Sequence, residues 1–202
     1  ESAFANNATN IIQSDVAGIA HTKSWDISAK VDWETSIGTL TSVTSYNDVY
    51  ESNYQDIDWT PVSFLEGILV DDVQGFTQEV RLTSPSDQNI RWFVGAFYQN
   101  IDKYRLTDAS VNLNFVLNGN GDPSLKMLAP AAFAPQEQDY KTYSLFGQLN
   151  YDITSALELT LALRWDRDER DDFQENAAPG GLFNSASFEE LQPKASLAWR
   201  IS

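Results

Sequence analysis

The residues of this chain whose types could do chemistry are few, and their spacing does not gather them into a site. His21 is the only histidine. A metal centre needs several convergent ligands, so a lone histidine is read as an ordinary loop residue. The run Asp166-Arg167-Asp168-Glu169-Arg170-Asp171-Asp172 carries carboxylates of the kind that hold calcium. It lacks an ordered calcium loop with its glycine, and Arg167 and Arg170 compete for the same oxygens. It is therefore read as a solvated strand extension at an outer rim. Glu79 and Arg81 lie two apart on one side of a strand. They are expected to belong to a ladder of ion pairs, with contact to a ligand as the alternative. The stretch Asn118-Gly119-Asn120-Gly121-Asp122-Pro123 has the glycines of a phosphate loop. No clear helix follows to present amide groups, so it reads as a turn cluster in a long loop. One histidine outside any identifiable site leaves no credible Ser/His/Asp set. No catalytic, cofactor, metal or ligand-binding residue is assigned, and no cofactor is expected.

Composition narrows the partners. The 202 residues include Asp+Glu 29 against Lys+Arg 13, a formal net charge of -16. Such a surface repels phosphate backbones, which disfavours nucleic acid, and it offers no basic patch for anionic lipid. With 42% hydrophobic residues the chain is not disordered as a whole. Cysteine is absent, so disulfides and thiolate metal sites are ruled out. No apolar run approaches the ~20 residues of a membrane helix. Residues 1–10 lack the basic and apolar regions of a signal peptide, so an export signal is expected outside this stretch.

The elements follow from alternation. Leu157, Leu159, Leu161, Leu163 and Trp165 share one parity, and Glu158, Thr160, Ala162, Arg164 and Asp166 the other. Successive strand side chains point to opposite faces, so this is a strand with one greasy and one wet face. Tyr143, Leu145, Gly147, Leu149 and Tyr151 repeat the pattern against Thr142, Ser144, Gln148 and Asn150, with Phe146 an exception on the wet side. Trp25, Ile27, Ala29, Val31 and Trp33 do the same. Weaker strands are read at 39–50, 76–83, 90–104 and 191–201, the first with poor alternation and the second with Gln78 misplaced on the apolar side. That makes about seven strands.

Connections alternate in length. Short turns fall near 34–38, 84–89 and 152–156, and long polar connections near 51–74, 105–138 and 168–188. Short turns on one rim and long loops on the other characterise outer-membrane barrels. Several strands hold their pattern for about ten residues, the length a tilted membrane strand needs. Trp25 with Trp33, and Tyr143 with Tyr151, bracket their greasy faces eight residues apart. That is about 26 Å of strand, or about 20 Å of membrane height at a tilt near 40°. Aromatic rings at both ends then sit at the two interfaces. A soluble β-sandwich explains the alternation but not the difference between the rims.

The ordered strings Gly38-Thr39-Leu40-Thr41-Ser42-Val43-Thr44-Ser45-Tyr46, Thr77-Gln78-Glu79-Val80-Arg81-Leu82-Thr83-Ser84, Trp92-Phe93-Val94-Gly95-Ala96-Phe97-Tyr98, Tyr143-Ser144-Leu145-Phe146-Gly147-Gln148, Leu159-Thr160-Leu161-Ala162-Leu163-Arg164-Trp165 and Leu191-Gln192-Pro193-Lys194-Ala195-Ser196-Leu197 resemble the middle of the barrel domain of TonB-dependent outer-membrane receptors of the siderophore type. The resemblance implies an all-β, antiparallel transmembrane segment of a barrel of about 22 strands around a plug. On this reading residues 1–202 are a partial barrel domain, and the plug and remaining strands lie outside them. The implied function is energy-coupled uptake of a scarce ligand, a ferric siderophore, across the outer membrane of a Gram-negative bacterium. The implied partners are outer-membrane lipid, the ligand, and the TonB protein through parts outside this stretch. A passive porin and a soluble sandwich binding module are the alternatives. An outer-membrane hydrolase is disfavoured because no nucleophile–base pair is found.

Overall fold

The computed structural model describes residues 14–118, 126–128, 135–175 and 179–201. The alternating segments form the strands β1 (Ile19–Thr35), β2 (Gly38–Asp56), β3 (Leu65–Thr83) and β4 (Ile90–Asn112). A six-residue helix α1 (Leu113–Asn118) and a short strand β5 (Lys126–Leu128) follow. The chain then continues as β6 (Gln136–Thr154), β7 (Leu157–Gln174) and β8 (Leu182–Trp199). The seven long strands form one antiparallel sheet in the order β1-β2-β3-β4-β6-β7-β8, and β5 pairs with the end of β4.

The three short turns stand where alternation placed them. Ser36 and Ile37 join β1 to β2, and the Thr35 hydroxyl donates to the Gly38 carbonyl at 2.6 Å. At the β3–β4 turn, Ser84 closes the hairpin: its backbone N–H donates to the Trp92 carbonyl, and its hydroxyl accepts the Trp92 N–H at 2.9 Å. Between β6 and β7 a register shift at Asp152/Thr154 precedes the Ser155-Ala156 turn, a bulge at a rim where pairing ends.

The long connections are corrected. Strand pairing continues well into 51–74, 105–138 and 168–188, so that the strands run 17 to 23 residues. His21, read as a loop residue, lies in β1 opposite Ser52. Backbone hydrogen bonds need no apolar side chains, so the ladder persists where both faces turn polar and alternation falls silent. A 19-residue strand is about 63 Å long, well beyond an apolar band of about 25 Å even when tilted. The surplus stands beyond the long-loop side of that band.

Register carries the two faces across the whole sheet. One row runs Val31, Ser42, Val80, Ala96, Leu145, Trp165, Leu191. The row beside it, on the other face, runs Asp32, Thr41, Arg81, Gly95, Phe146, Arg164, Gln192. The described sheet is a single layer, and no other described element packs on its apolar face. Among the described residues Ala109 is the one buried hydrophobic side chain, while Leu145 is 58%, Leu163 50% and Leu161 43% exposed. A sandwich would bury these leucines between two sheets. Here their solvent is hydrocarbon.

Aromatic rings border the apolar band. Toward the long connections, Trp25 lies 5.2 Å from Tyr46, Phe76 lies 6.2 Å from Tyr98, and Tyr98 lies 5.3 Å from Tyr143. Trp33, Trp92, Tyr151 and Trp199 share the same face at the short-turn end. Gln78, the polar exception, is satisfied inside the band. Its amide oxygen accepts from the Thr44 hydroxyl at 2.5 Å, and its nitrogen donates to the Ser42 hydroxyl at 3.0 Å and the Glu79 carbonyl at 3.1 Å. The poor alternation of β2 has the same origin, since Ser42 and Thr44 are the partners that keep Gln78 from standing unpaired in lipid.

Candidate functional site

The wet face of the sheet is the candidate site, a wall rather than a pocket. At the short-turn rim Arg91 binds Asp152 through both terminal nitrogens, at 2.5 and 3.0 Å, and Glu158 at 2.6 Å. Arg200 approaches Glu158 at 3.7 Å. This forked guanidinium joins β4, β6 and β7. Thr160 donates to Asn150 at 3.0 Å one step higher.

Phe146, the apolar exception on this face, has a local cause. A Cβ on Gly95, its register partner, would stand 2.6 Å from the Phe146 ring, so the ring lies across the glycine. Phe93 meets it edge-on at 6.2 Å, and the Arg164 guanidinium sits 5.7 Å above it. Arg164 also holds Asp166 at 2.8 Å, and Asp166 accepts from Ser144 at 2.5 Å. Higher still, Arg170 stands between two rings, 5.8 Å from Tyr140 and 5.6 Å from Phe188. A depression of about 610 Å³ opens here, lined by Thr142, Arg164, Asp166, Asp168, Phe188 and Gln192 among others. On β3 and β4, Asp71 pairs with Arg105 at 2.7 Å and with Lys103 at 3.8 Å.

The sequence-derived candidates are redistributed by this geometry. The acidic run is strand, as expected, and its members split by parity. Asp166, Asp168, Arg170 and Asp172 share the wet face with Ser144, Thr142, Tyr140 and Gln138, while Arg167, Glu169 and Asp171 lie on the other. Glu79 and Arg81 both lie on the wet face, but they pair along one strand at 3.9 Å. Their cross-strand neighbours are Val43 and Phe97, and Thr41 and Gly95, so they build no ladder. The ladder is Arg91, Asp152 and Glu158, which the sequence reading passed over although all three sit on the polar parity. Asn118 ends α1, and the rest of the glycine-rich cluster lies outside the described residues.

Beyond the membrane band, the β2–β3 hairpin is anchored by buried polar groups. Asp56 and Glu66 face each other in register at 4% and 5% exposure. The Tyr54 phenol donates to Glu66, and that bond together with burial pushes its pKa up to about 12. Asp56 accepts the Asp58 and Trp59 N–H groups, each at 3.0 Å, and so holds Trp59 at φ 57 with its side chain exposed.

Also beyond the band, Asp102 and Asp139 face each other across β4 and β6. The hydrogen bond with Asp102, then burial, then the charge of Asp102 raise the Asp139 pKa above the ordinary carboxylate value. The folded value exceeds the unfolded one, so the stability it contributes is full below the unfolded pKa and is lost as pH rises through the folded pKa. Asp139→Asn is therefore expected to raise the melting temperature of the full-length protein at about pH 8 and to do progressively less toward about pH 4. A benefit that grows on acidification would refute the assignment.

The wet face is a hydrated, charged and aromatic-studded wall along which a polar solute can pass. A family model described as TonB dependent receptor-like, beta-barrel, matches residues 2–202. In structure the chain is similar to the siderophore receptor PiuA from Acinetobacter baumannii, with a TM-score of 0.69 at 16% identity over 91% of this chain and 31% of that one. The ferric citrate transporter FecA in its unliganded form gives 0.61 at 11% identity, over 92% and 26%. The ferric yersiniabactin uptake receptor FyuA from Yersinia pestis gives 0.58 at 13% identity, over 88% and 25%. The chain thus spans a quarter to a third of the length of these receptors. At such identities the likeness speaks for the fold alone. No curated protein sequence matches the chain.

Proposed function

Because the chain belongs to the TonB-dependent receptor β-barrel family, whose place is the outer membrane of Gram-negative bacteria, we propose that it forms part of the wall of an energy-coupled importer. The cargo in this reading is a scarce ligand of the ferric-siderophore class. The single observation that carries the reading is the family match over residues 2–202, and the described sheet, with one lipid-compatible and one hydrated face, is in keeping with it. The ligand class draws support from the names of three structural neighbours, each a receptor or transporter of a siderophore or ferric complex. The remaining strands and a plug belong to the rest of a longer protein, and the wet face described above is the surface that plug and cargo meet. TonB would engage parts outside this stretch. The reading is of a transporter and not an enzyme, in keeping with those neighbours.

The test is uptake by cells that carry the full-length protein as their one such receptor. Under iron limitation, a ferric siderophore is expected to enter, and entry is expected to stop when TonB is deleted. Entry of unrelated small solutes independent of TonB would replace this reading with a passive porin.

A further inference from the structure

We infer that the tip of the β2–β3 hairpin is a landing platform for a cation-bearing ligand, with the exposed indole of Trp59 as the surface that receives the cation. The inference rests on the importer reading and deepens it: the cargo is a ferric complex whose organic shell carries an ammonium group. Among the described residues Trp59 is the one non-glycine at positive φ, at 57°. A residue with a Cβ costs free energy in that conformation, and a glycine would close the loop without it. The loop is nevertheless built to hold the tryptophan there. Asp56 accepts the N–H groups of Asp58 and Trp59, each at 3.0 Å. Asp58 in turn accepts the Thr60 N–H at 2.9 Å, the Thr60 hydroxyl at 2.6 Å and the Leu65 N–H at 2.6 Å, which ties the tip back to the start of β3.

Neither packing nor the bilayer accounts for this residue. Trp59 is 64% exposed, so its ring fills no core. From Tyr46, in the outer aromatic border, to Asp56, where β2 ends, is about ten residues. That is about 33 Å of strand, or about 25 Å of height at a tilt near 40°, so the indole stands clear of the bilayer and is no interfacial anchor. A strained, clamped and exposed ring is left with a contact outside the protein. The charge around it selects the partner. Residues 56–66 carry Asp56, Asp58 and Glu66 and no lysine, arginine or histidine. Asp56 is 4% exposed, and among the described residues its Oδ2 is buried without a hydrogen-bond partner, so salt and water screen it little. On the wet face below, Lys103 and Arg105 of β4 are both engaged by Asp71, at 3.8 and 2.7 Å. An anion is repelled from such a tip. A cation is drawn to it, and the face of an indole is the best aromatic surface for an ammonium group.

The test is equilibrium binding of two radio-iron complexes to the full-length receptor on cells that lack TonB. One is a linear ferric trihydroxamate bearing a single ammonium group, and the other is the same complex with that amine acetylated. Wild-type receptor is expected to bind the ammonium form about tenfold more tightly. Trp59→Ala is expected to abolish the preference by weakening the ammonium form alone, and Trp59→Phe to retain part of it. Trp59→Gly is expected to lose the preference with no fall in the urea midpoint, since it relieves the backbone while removing the ring. Equal binding of the two forms by wild type, or a preference that survives in folded Trp59→Ala protein, would overturn the platform and leave the importer reading standing. If the wild-type receptor binds neither complex and cells with TonB import neither, the ferric-siderophore cargo fails, and the platform falls with it.

Discussion

Leu161→Arg is expected to cost the full-length barrel about 2–4 kcal/mol of folding stability in lipid, more than arginine at either end of the same outward row. Leu161 lies midway between Leu157, which pairs with Trp199 at one aromatic border, and Trp165, just below the Tyr143 ring level at the other. Its register partners Leu149 and Ala195 share its face, and it is itself 43% exposed, so no protein core surrounds it. The cost therefore comes from placing a guanidinium at mid-depth in hydrocarbon, and it falls where the side chain can reach headgroups. Leu157→Arg and Trp165→Arg should each cost less. Thr160→Arg, one residue away but among Asn150 and Ser196 on the wet face, should fall near the ±0.5 kcal/mol usual for surface changes. The measurement is urea unfolding from lipid vesicles for all four variants. A flat profile, or Trp165→Arg proving worse than Leu161→Arg, would contradict the placement of this face in the bilayer.

The alternation that marks Leu161 also shows what a sequence carries and what it omits. Strands β1, β6 and β7 were legible because their lipid parity is almost purely apolar, and the three short turns because each interrupts such a pattern. Face assignment at Leu145, Leu149, Thr160 and Arg164 then followed, since period two leaves no freedom once one residue is placed. Gln78 and Phe146 broke the pattern for reasons that live between strands. Gln78 is tolerable on its face because Ser42 and Thr44 meet it across β2. Phe146 is tolerable on the wet face because Gly95 makes room for it. Neither fact is visible without the register. The extent of the strands was likewise hidden. Outside the bilayer neither face needs to be apolar, so hydrogen-bonded pairs such as Asp71 with Arg105 read like loop sequence. The same blindness concealed the Arg91–Asp152–Glu158 fork, whose members come from three strands.

Gly38→Ala should be the most damaging single methyl addition among the described glycines at turns, at about 2 kcal/mol or more once backbone strain of about 1–3 kcal/mol is joined by overpacking. Gly38 opens β2 directly after the Ser36-Ile37 turn at φ +143, a conformation that side chains rarely adopt. An added Cβ would stand 2.1 Å from the Thr83 carbonyl oxygen, 2.9 Å from its carbon and 3.1 Å from the Ser84 Cα. All three are backbone atoms of the neighbouring hairpin, so no rotamer change relieves the contact. Two comparisons separate the causes. Gly180 has φ +89 with nothing within 4 Å of a Cβ, so Gly180→Ala carries strain alone. Gly147 has no positive φ and only adjustable contacts, so Gly147→Ala carries neither in full. Urea midpoints of the full-length barrel in vesicles should rank the losses Gly38, then Gly180, then Gly147. If Gly180→Ala equals or exceeds Gly38→Ala, the Thr83 backbone yields to the methyl, and the short-turn rim is softer than this geometry implies.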